Sequence, residues 1–208
     1  MKSNFFLYFI LFCGILMLSL PIRAENIAPK EAEEFAYLRG NELLEVFAID
    51  DYEEKYEKLD KLLLEYVDLD YIAKFVIAKY WREMDAAQQK RYLELFKNYA
   101  LNLYKGFPLN FKDKVSFSIL GSEKVNDDTL VNAEIVLALD EEDTKVNAAF
   151  RLCKKNGKIL MRDIKIGENS FILAYRQRFQ EMMKEADEDI NWFMEDFEAL
   201  VNSLDKNA

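Results

Sequence analysis

The sequence predicts an α+β fold, in which a four-stranded antiparallel meander sheet packs against helices before and after it in the chain. Apolar residues recur every three or four positions from residue 32 to about 105, alternate with polar residues from 115 to 166, and return to the helical spacing after 170. Tight turn sequences separate the alternating segments. Because helices and strands are segregated along the chain, we expect one α+β domain.

The segment before residue 82 is predicted to form three helices. Two amphipathic helices fit residues 32–64, with a break near "IDDYEEK". A third fits "DLDYIAKFVIAKYW", where Asp68 or Asp70 can cap the start of the helix. The apolar side of this third helix consists of Ile72, Phe75, Val76 and Tyr80.

A long fourth helix is predicted to begin after Asp85. Asp85 and Gln88 have the spacing of a capping box, in which each side chain accepts a hydrogen bond from a backbone N–H near the other residue. Gly106 and Pro108 are expected to end this helix near Lys105. Its apolar positions form a broad aromatic face that comprises Tyr92, Leu93, Phe96, Tyr99, Ala100, Leu103, Tyr104 and Phe107.

Four predicted strands follow, at residues 115–119, 131–139, 146–152 and 158–166. The Asn156-Gly157 pair is the strongest hairpin signal in the chain, and "GSEKVNDD" and "DEED" are interpreted as the other two connectors. Short links between successive strands predict an antiparallel meander. Strict alternation places Asp163 on the same side of the sheet as Ile159 and Met161.

The first 24 residues are typical of a secretory signal peptide. Lys2 precedes an uncharged apolar run that ends at Pro21, and the run is shorter than the roughly 20 residues that a membrane-spanning helix needs. We expect cleavage after Ala24, with an uncleaved anchor as the alternative reading. Residues 25–208 would then form a single domain of 208 − 24 = 184 residues in an exported protein.

The composition narrows the function classes. The segment 25–208 carries a net charge of (28 − 2) − 38 = −12, because the predicted signal contains two of the 28 basic residues and no acid. This acidity argues against a nucleic-acid partner and against adsorption to anionic lipid by bulk charge. Cys153 is the single cysteine of that segment, so we expect no internal disulfide.

Most catalytic sites are excluded by the residues that the sequence lacks. With no histidine, it has no Ser-His-Asp triad, Cys-His pair or histidine zinc site, and its six glycines form no phosphate-binding loop. Asp163, near Arg151 or Arg176, is a candidate general base, although such a buried carboxylate is more often structural. Ser170 lacks a base partner and is interpreted as the cap of the next helix, "SFILAYRQRFQEMMKEA". We therefore expect no metal and no cofactor, and Asp163 stays as the catalytic candidate.

Two features indicate a binding role but leave it open. Residues 145–178 contain nine Lys or Arg against two acids, which fits either a phosphate headgroup, an acidic partner or an ordinary solvated sheet face. Aromatic residues recur on the helix faces and on the strands. Periodicity alone does not distinguish a filled core from the wall of an apolar ligand cavity.

Two segments carry a resemblance to a known family. "DLDYIAKFVIAKYWREMDAAQQKRYLELFKNY" and "MRDIKIGENSFILAYRQRF" resemble the two motif blocks of the MlaC, or toluene-tolerance, family of periplasmic phospholipid-binding proteins. The residues at the spacing of those blocks include Trp81, Asp163, Ser170, Tyr175, Arg176 and Phe179. The sequence departs from the family pattern at three positions. Ala78 stands where the family usually has glycine, Gly167 comes one place earlier than the family glycine, and Ile159 replaces a tryptophan.

The resemblance implies a carrier rather than an enzyme. The acyl chains of a phospholipid would enter an apolar cavity between the sheet and the helices. The protein would act as a monomer and carry lipid between an outer-membrane lipoprotein complex and an inner-membrane ABC transporter with an MCE-domain subunit. This transport would maintain the lipid asymmetry of the outer membrane. Alternatives are another apolar cargo such as a hopanoid, sterol or quinone, an exported enzyme that uses Asp163, or an adaptor between membrane complexes. The residues expected to line the cavity are Phe75, Tyr80, Phe96, Tyr99, Leu103, Tyr104, Phe117, Ile135, Leu137, Phe150, Leu152, Met161, Phe171 and Tyr175.

Overall fold

The structure is a computed structural model that describes residues 26–105, 115–138 and 144–205. The predicted signal segment 1–24 lies outside the described residues, as do the predicted helix terminators Gly106 and Pro108. Across the described ranges, none of the helices combines the length and the apolar character needed to cross a membrane.

The order of elements is that of the predicted α+β fold. In the described ranges, the helices are α1 (Pro29–Phe47), α2 (Tyr52–Tyr66), α3 (Leu69–Ile77), α4 (Ala86–Leu103), α5 (Phe171–Glu185) and α6 (Ile190–Asp205), with a 3₁₀ helix at Ala78–Arg82. The strands are β1 (Val115–Val125), β2 (Asp128–Leu137), β3 (Thr144–Lys155), β4 (Lys158–Ile166) and β5 (Asn169–Ser170).

The sheet is an antiparallel meander in the order β1-β2-β3-β4-β5, which confirms the predicted topology. The two-residue strand β5 is an addition that alternation did not predict. Strand β1 continues through "GSEKV", which the sequence analysis interpreted as a connector. This continuation includes a β-bulge, because Leu120 is the extra residue between Ile119 and Gly121.

Local signals determine several boundaries. Both hydrogen bonds of the predicted capping box between Asp85 and Gln88 are present at the start of α4. The Asn156-Gly157 turn has positive φ at both residues, 54° and 76°, as a tight hairpin requires. Asp68, in contrast, makes no side-chain capping bond at the start of α3. The third helix also ends earlier than predicted, at Ile77, because Ala78 has φ 56° and ψ −119°.

The apolar core is divided into two clusters. The larger cluster joins α3, the 3₁₀ helix, α4, α5 and α6 and contains seven closely packed aromatic side chains: Tyr80, Tyr92, Phe96, Tyr99, Phe179, Phe193 and Phe197. Each fully buried phenylalanine contributes roughly 1.5–3 kcal/mol to the free energy of unfolding. The Tyr92 hydroxyl donates to the Ala73 carbonyl oxygen at 2.8 Å, and burial raises the pKa of Tyr92 well above its usual value.

The smaller cluster lies between α1 and the sheet. Ala32 and Ala36 of α1 pack with Val131 and Leu152 of the sheet, and all four are buried. Alanines at these positions let the helix approach the strands closely. The side of the sheet that α1 covers is called the inner sheet face below, and the opposite side the outer sheet face.

Candidate functional site

The inner sheet face is mostly apolar. Directly paired residues of antiparallel strands point to the same side, so the strand register assigns the members of this face. Its apolar members are Val115, Phe117, Ile119, Val131, Ala133, Ile135, Leu137, Val146, Ala148, Phe150, Leu152, Ile159, Met161, Ile164 and Ile166. Its polar members, at the ends of the strands, are Ser122, Lys124, Thr129, Thr144 and Lys154. Six predicted cavity residues are therefore brought together here: Phe117, Ile135, Leu137, Phe150, Leu152 and Met161.

Burial on the inner sheet face is uneven. Val131 and Leu152, beneath the first half of α1, are 0% and 1% exposed. Towards the other end of the same strands, the apolar side chains are only half-buried: Phe117, Ile135, Leu137, Val146, Ile164 and Ile166. Large aliphatic side chains on a core-facing surface are usually sealed more completely. We name these six half-buried residues the open apolar surface.

Helix α1 borders the open apolar surface. Gly40 allows the close approach, since a Cβ atom there would lie 2.2 Å from Cζ of Phe117. The Tyr37 and Phe117 rings also pack against each other, with their centroids 6.0 Å apart. A phenylalanine that contacts the helix backbone keeps α1 at a fixed distance from β1. The second half of α1 carries further half-buried apolar side chains, Leu43, Leu44 and Phe47.

The predicted helix residues lie elsewhere. Tyr80, Phe96 and Tyr99 are 4–8% exposed and belong to the larger cluster, where the rings of Phe96 and Tyr99 lie 5.6–6.3 Å from neighbouring rings. Such close ring contacts are those of a filled core. The structure thus does not bring these three residues and the open apolar surface into one wall.

The remaining predicted cavity residues border these regions. Phe75, Leu103 and Tyr175 are half-buried and pack against the larger cluster. The Tyr104 hydroxyl donates to the Asp60 carboxylate, and desolvation is the main cause that raises the pKa of Tyr104. Phe171 is 49% exposed at the start of α5. Lipid contact by any of these residues stays a prediction.

Two clefts open beside these clusters. One, of about 450 Å³, lies between α1 and β1 and is lined by Tyr37, Ile119 and Leu120 together with charged side chains of α1. The other, of about 290 Å³, is formed mostly by polar side chains of α2, α4 and α6. Neither cleft is lined by a predicted cavity residue. In residues 26–105, 115–138 and 144–205, no group of acidic or cysteine side chains is arranged to hold a metal ion.

A family model decides the relationship. Residues 41–205 match the model of the MlaC protein family. The chain belongs to the MlaC family. No curated protein matches it significantly.

A solved structure shares the fold of this MlaC-family chain. It is that of the phospholipid-binding protein from Ralstonia solanacearum, which was solved in complex with a phospholipid. The two chains align with a TM-score of 0.68 and 14% sequence identity, over 83% of this chain and 98% of the other. At this level of identity, the match shows a common fold.

The first family motif forms a corner between α3 and α4. Trp81 is half-buried there, and its ring centroid lies 6.3 Å from that of Tyr92. The Gln89 side-chain amide donates to the Trp81 carbonyl oxygen at 2.9 Å, and the Lys74 ammonium lies 5.1 Å from the Trp81 ring. Ala78, which occupies the usual glycine position, adopts a backbone conformation that favours glycine. Trp81 therefore contacts the corner and not the inner sheet face.

The second family motif fixes the start of α5. The Asp163 carboxylate, which is buried, accepts hydrogen bonds from the Ser170 hydroxyl at 2.6 Å and from the Ile172 backbone N–H at 3.0 Å. The Ser170 hydroxyl oxygen accepts from the Leu173 N–H at 3.3 Å, as predicted for a helix cap. This arrangement is structural in form, because both carboxylate oxygens of Asp163 bind donors at the helix start.

The predicted side of Asp163 is wrong. A register shift in the β3–β4 pairing makes Arg162 an extra residue, so that Met161 pairs with Leu152 whereas Asp163 pairs with Arg151. The bulge reverses the alternation, and Asp163 lies on the outer sheet face. Phe179 and Arg176 follow on α5, where Phe179 is fully buried and the Arg176 guanidinium lies 4.8 Å from the Phe75 ring.

A buried ion network lies on the outer sheet face. Asp68 and Asp128, each with 2% side-chain exposure, share Arg162, with N–O distances of 3.1 and 2.9 Å. Arg151 also pairs with Asp128, and Lys155 with Asp68. The network joins the α2–α3 junction to β2, β3 and β4. The alternating pattern of the strands did not predict this network, because Asp68, Asp128 and Arg162 are far apart in the sequence.

Cys153 lies beside this network. It is 1% exposed, and its Sγ atom is 3.8 Å from the Asp68 carboxylate. The pKa of Cys153 is raised to about 11, mainly by burial; Arg162 lowers it, and the carboxylates of Asp68 and Asp128 add to the increase. A neutral buried thiol of this kind is a weak nucleophile.

Proposed function

We propose that this MlaC-family chain is a periplasmic phospholipid carrier. The observation that carries the proposal is the open apolar surface, six half-buried apolar residues at one end of a sheet face whose other end packs against the first half of α1. The phospholipid bound to the Ralstonia solanacearum protein of the same fold supports this assignment. The acyl chains would lie on the open apolar surface, beneath the second half of α1.

The size of the hydrophobic effect explains why such a carrier is needed. Two acyl chains contain roughly 30 methylene groups, and exposing them to water costs on the order of 24 kcal/mol at about 0.8 kcal/mol each. Free diffusion of lipid through water is therefore negligible. On a protein surface as apolar as the bilayer interior, transfer of the lipid between membrane and protein changes the free energy very little. The lipid can therefore both enter and leave the protein.

The transport route is part of the same proposal. The exported chain would act as a monomer between an outer-membrane lipoprotein complex and an inner-membrane ABC transporter with an MCE-domain subunit. The family match supports this route, and the signal-like residues 1–24 support export.

Lipid extraction from the purified protein tests the proposal. We expect phospholipid to copurify with the wild type and mass spectrometry to identify it. A hopanoid, sterol or quinone in the extract would replace phospholipid as the cargo. Repeated absence of any lipid, together with failure to take lipid from vesicles, would refute the carrier function.

A pair of adjacent substitutions locates the binding surface. Ile135→Asp places a charge on the open apolar surface and is expected to abolish lipid copurification, because an unpaired buried charge is costly. Val136→Asp is the matched control: Val136 is also half-buried but lies on the outer sheet face, paired with Lys145. Circular dichroism of both variants checks folding. Retained lipid in Ile135→Asp would contradict the assigned surface. Phe96→Asp is unsuitable, since Phe96 is a core residue.

A further inference from the structure

Two large apolar side chains project from the first turn of α5. Phe171 is 49% exposed and Leu173 is 55% exposed, while Ile172 between them is buried. They therefore flank the buried stripe of the helix on its two sides. The bonds from Ser170 and Asp163 hold this turn in place. Two exposed apolar residues alone are common on protein surfaces, so the charges around them decide whether this turn is an interaction surface.

Three cations surround this turn. Lys165 pairs in register with Ser170, which directly precedes the helix, and Arg176 and Arg178 lie in its second turn. In contrast, five of the nine basic residues between 145 and 178 form salt bridges with carboxylates of other elements. Within the described ranges, Lys165, Arg176 and Arg178 have no carboxylate within salt-bridge distance. We name Lys165, Phe171, Leu173, Arg176 and Arg178 the α5 tip.

The other exposed apolar side chains have acidic neighbours. Trp192 of α6 is 56% exposed; Asp189 lies just before this helix, and Glu195 and Asp196 lie one turn after Trp192. Tyr37 and Leu120, 52% and 62% exposed, border the cleft that also contains the carboxylates of α1. The α5 tip differs because Glu168 is the single acid in residues 164–178.

We propose that the α5 tip docks onto the surface of an anionic lipid bilayer. Phe171 and Leu173 would enter the interface between headgroups and acyl chains, and Lys165, Arg176 and Arg178 would contact the phosphates. The acidic remainder of the chain does not prevent this contact, because charges farther away than about 8 Å are largely screened at physiological salt. The docking is independent of the cargo, since Lys165 lies on the outer sheet face whereas its neighbours Ile164 and Ile166 belong to the open apolar surface on the inner face.

Flotation with vesicles tests the docking. The full-length mature protein is mixed with phosphatidylcholine vesicles that contain either no anionic lipid or about 30% phosphatidylglycerol, at about 0.15 and 0.5 M NaCl. We expect binding to the anionic vesicles at low salt, and much weaker binding to neutral vesicles or at high salt. Equal binding to both vesicle types, or none to either, overturns the proposal.

Variants locate the contact. Each of Lys165→Gln and Arg178→Gln is expected to weaken binding about fivefold, because a basic residue near an anionic surface contributes roughly that factor. Leu173→Ser is expected to weaken it by a similar factor through loss of apolar contact. Trp192→Ser is the matched control and should bind like the wild type. Wild-type binding by the three tip variants, or a loss in Trp192→Ser equal to theirs, overturns the α5 tip as the contact.

The outcome is distinguishable from that of the carrier proposal. Leu173→Ser is expected to copurify as much lipid as the wild type. A protein that copurifies lipid but does not bind vesicles refutes docking and leaves the carrier function intact. A protein that docks through the α5 tip but never acquires lipid supports docking and refutes the carrier function.

Discussion

Ala78→Gly is expected to stabilise the protein by about 1 kcal/mol, although glycine usually weakens helical segments. Ala78 links α3 to the 3₁₀ helix and has φ 56° and ψ −119°. Its N–H remains bonded to the Lys74 carbonyl, so the strain lies in the backbone dihedrals and not in a lost hydrogen bond. These dihedrals are those of the first central residue of a type II′ turn, where glycine is favoured.

The expected magnitude combines three contributions. Relief of the strained conformation contributes roughly 1–3 kcal/mol in favour of glycine. The extra freedom of glycine in the unfolded chain costs about 0.4–1 kcal/mol. Loss of a half-buried methyl group costs a further 0.4 kcal/mol or so, about half the value for a fully buried group. The sum is a gain of about 1 kcal/mol, which raises the melting temperature by about 3 °C in a chain of this size.

Thermal and denaturant unfolding of the two proteins measures this gain. The matched control is Ala199→Gly in the exposed interior of α6, which should cost about 1 kcal/mol because helical dihedrals impose no strain on alanine. Opposite signs at the two sites would support the reasoning. A destabilisation at Ala78 equal to that at Ala199 would refute it.

Three further predictions concern the outer sheet face. Arg162→Met leaves two buried aspartates short of a partner and should lower the free energy of unfolding by about 3 kcal/mol, as measured with denaturant. The control Arg91→Met breaks an exposed ion pair and should change it by less than about 0.5 kcal/mol. Equal effects of the two substitutions would contradict the argument. The pKa of Cys153 is raised from 9.0 to about 11 in the folded protein. The neutral thiol therefore stabilises the fold fully below pH 9, and this stabilisation is lost between about pH 9 and 11, where the unfolded chain gives up the proton first. The stability difference between the wild type and Cys153→Ala should therefore narrow over that pH range, and a constant difference would be inconsistent with it. Asp163→Asn should lower the free energy of unfolding by about 1–3 kcal/mol without loss of lipid, because an amide keeps one acceptor oxygen and one of the two hydrogen bonds at the start of α5 is lost. Unchanged stability would favour a catalytic role of Asp163.

Local chemistry made much of the fold predictable. The capping box of Asp85 and Gln88 and the turn at Asn156-Gly157 depend on residues within four positions of each other, and both are present. The meander followed from the short links between alternating segments. The bulges at Leu120 and Arg162 were not predictable in this way, because they depend on which residues of the neighbouring strand form pairs.

The sequence by itself determined the α+β architecture, the strand order, the family motifs and the absence of histidine chemistry. Only the tertiary structure decided which apolar residues are core and which form the open apolar surface. Phe96 and Phe117 have the same side-chain chemistry and both fit a periodic apolar pattern. Phe96 is sealed by the ring of Phe179 in α5 and by two rings of its own helix, Tyr92 and Tyr99, whereas Phe117 contacts α1 on an incompletely covered sheet. Periodicity defines the side of an element that is apolar, but only packing determines what covers that side.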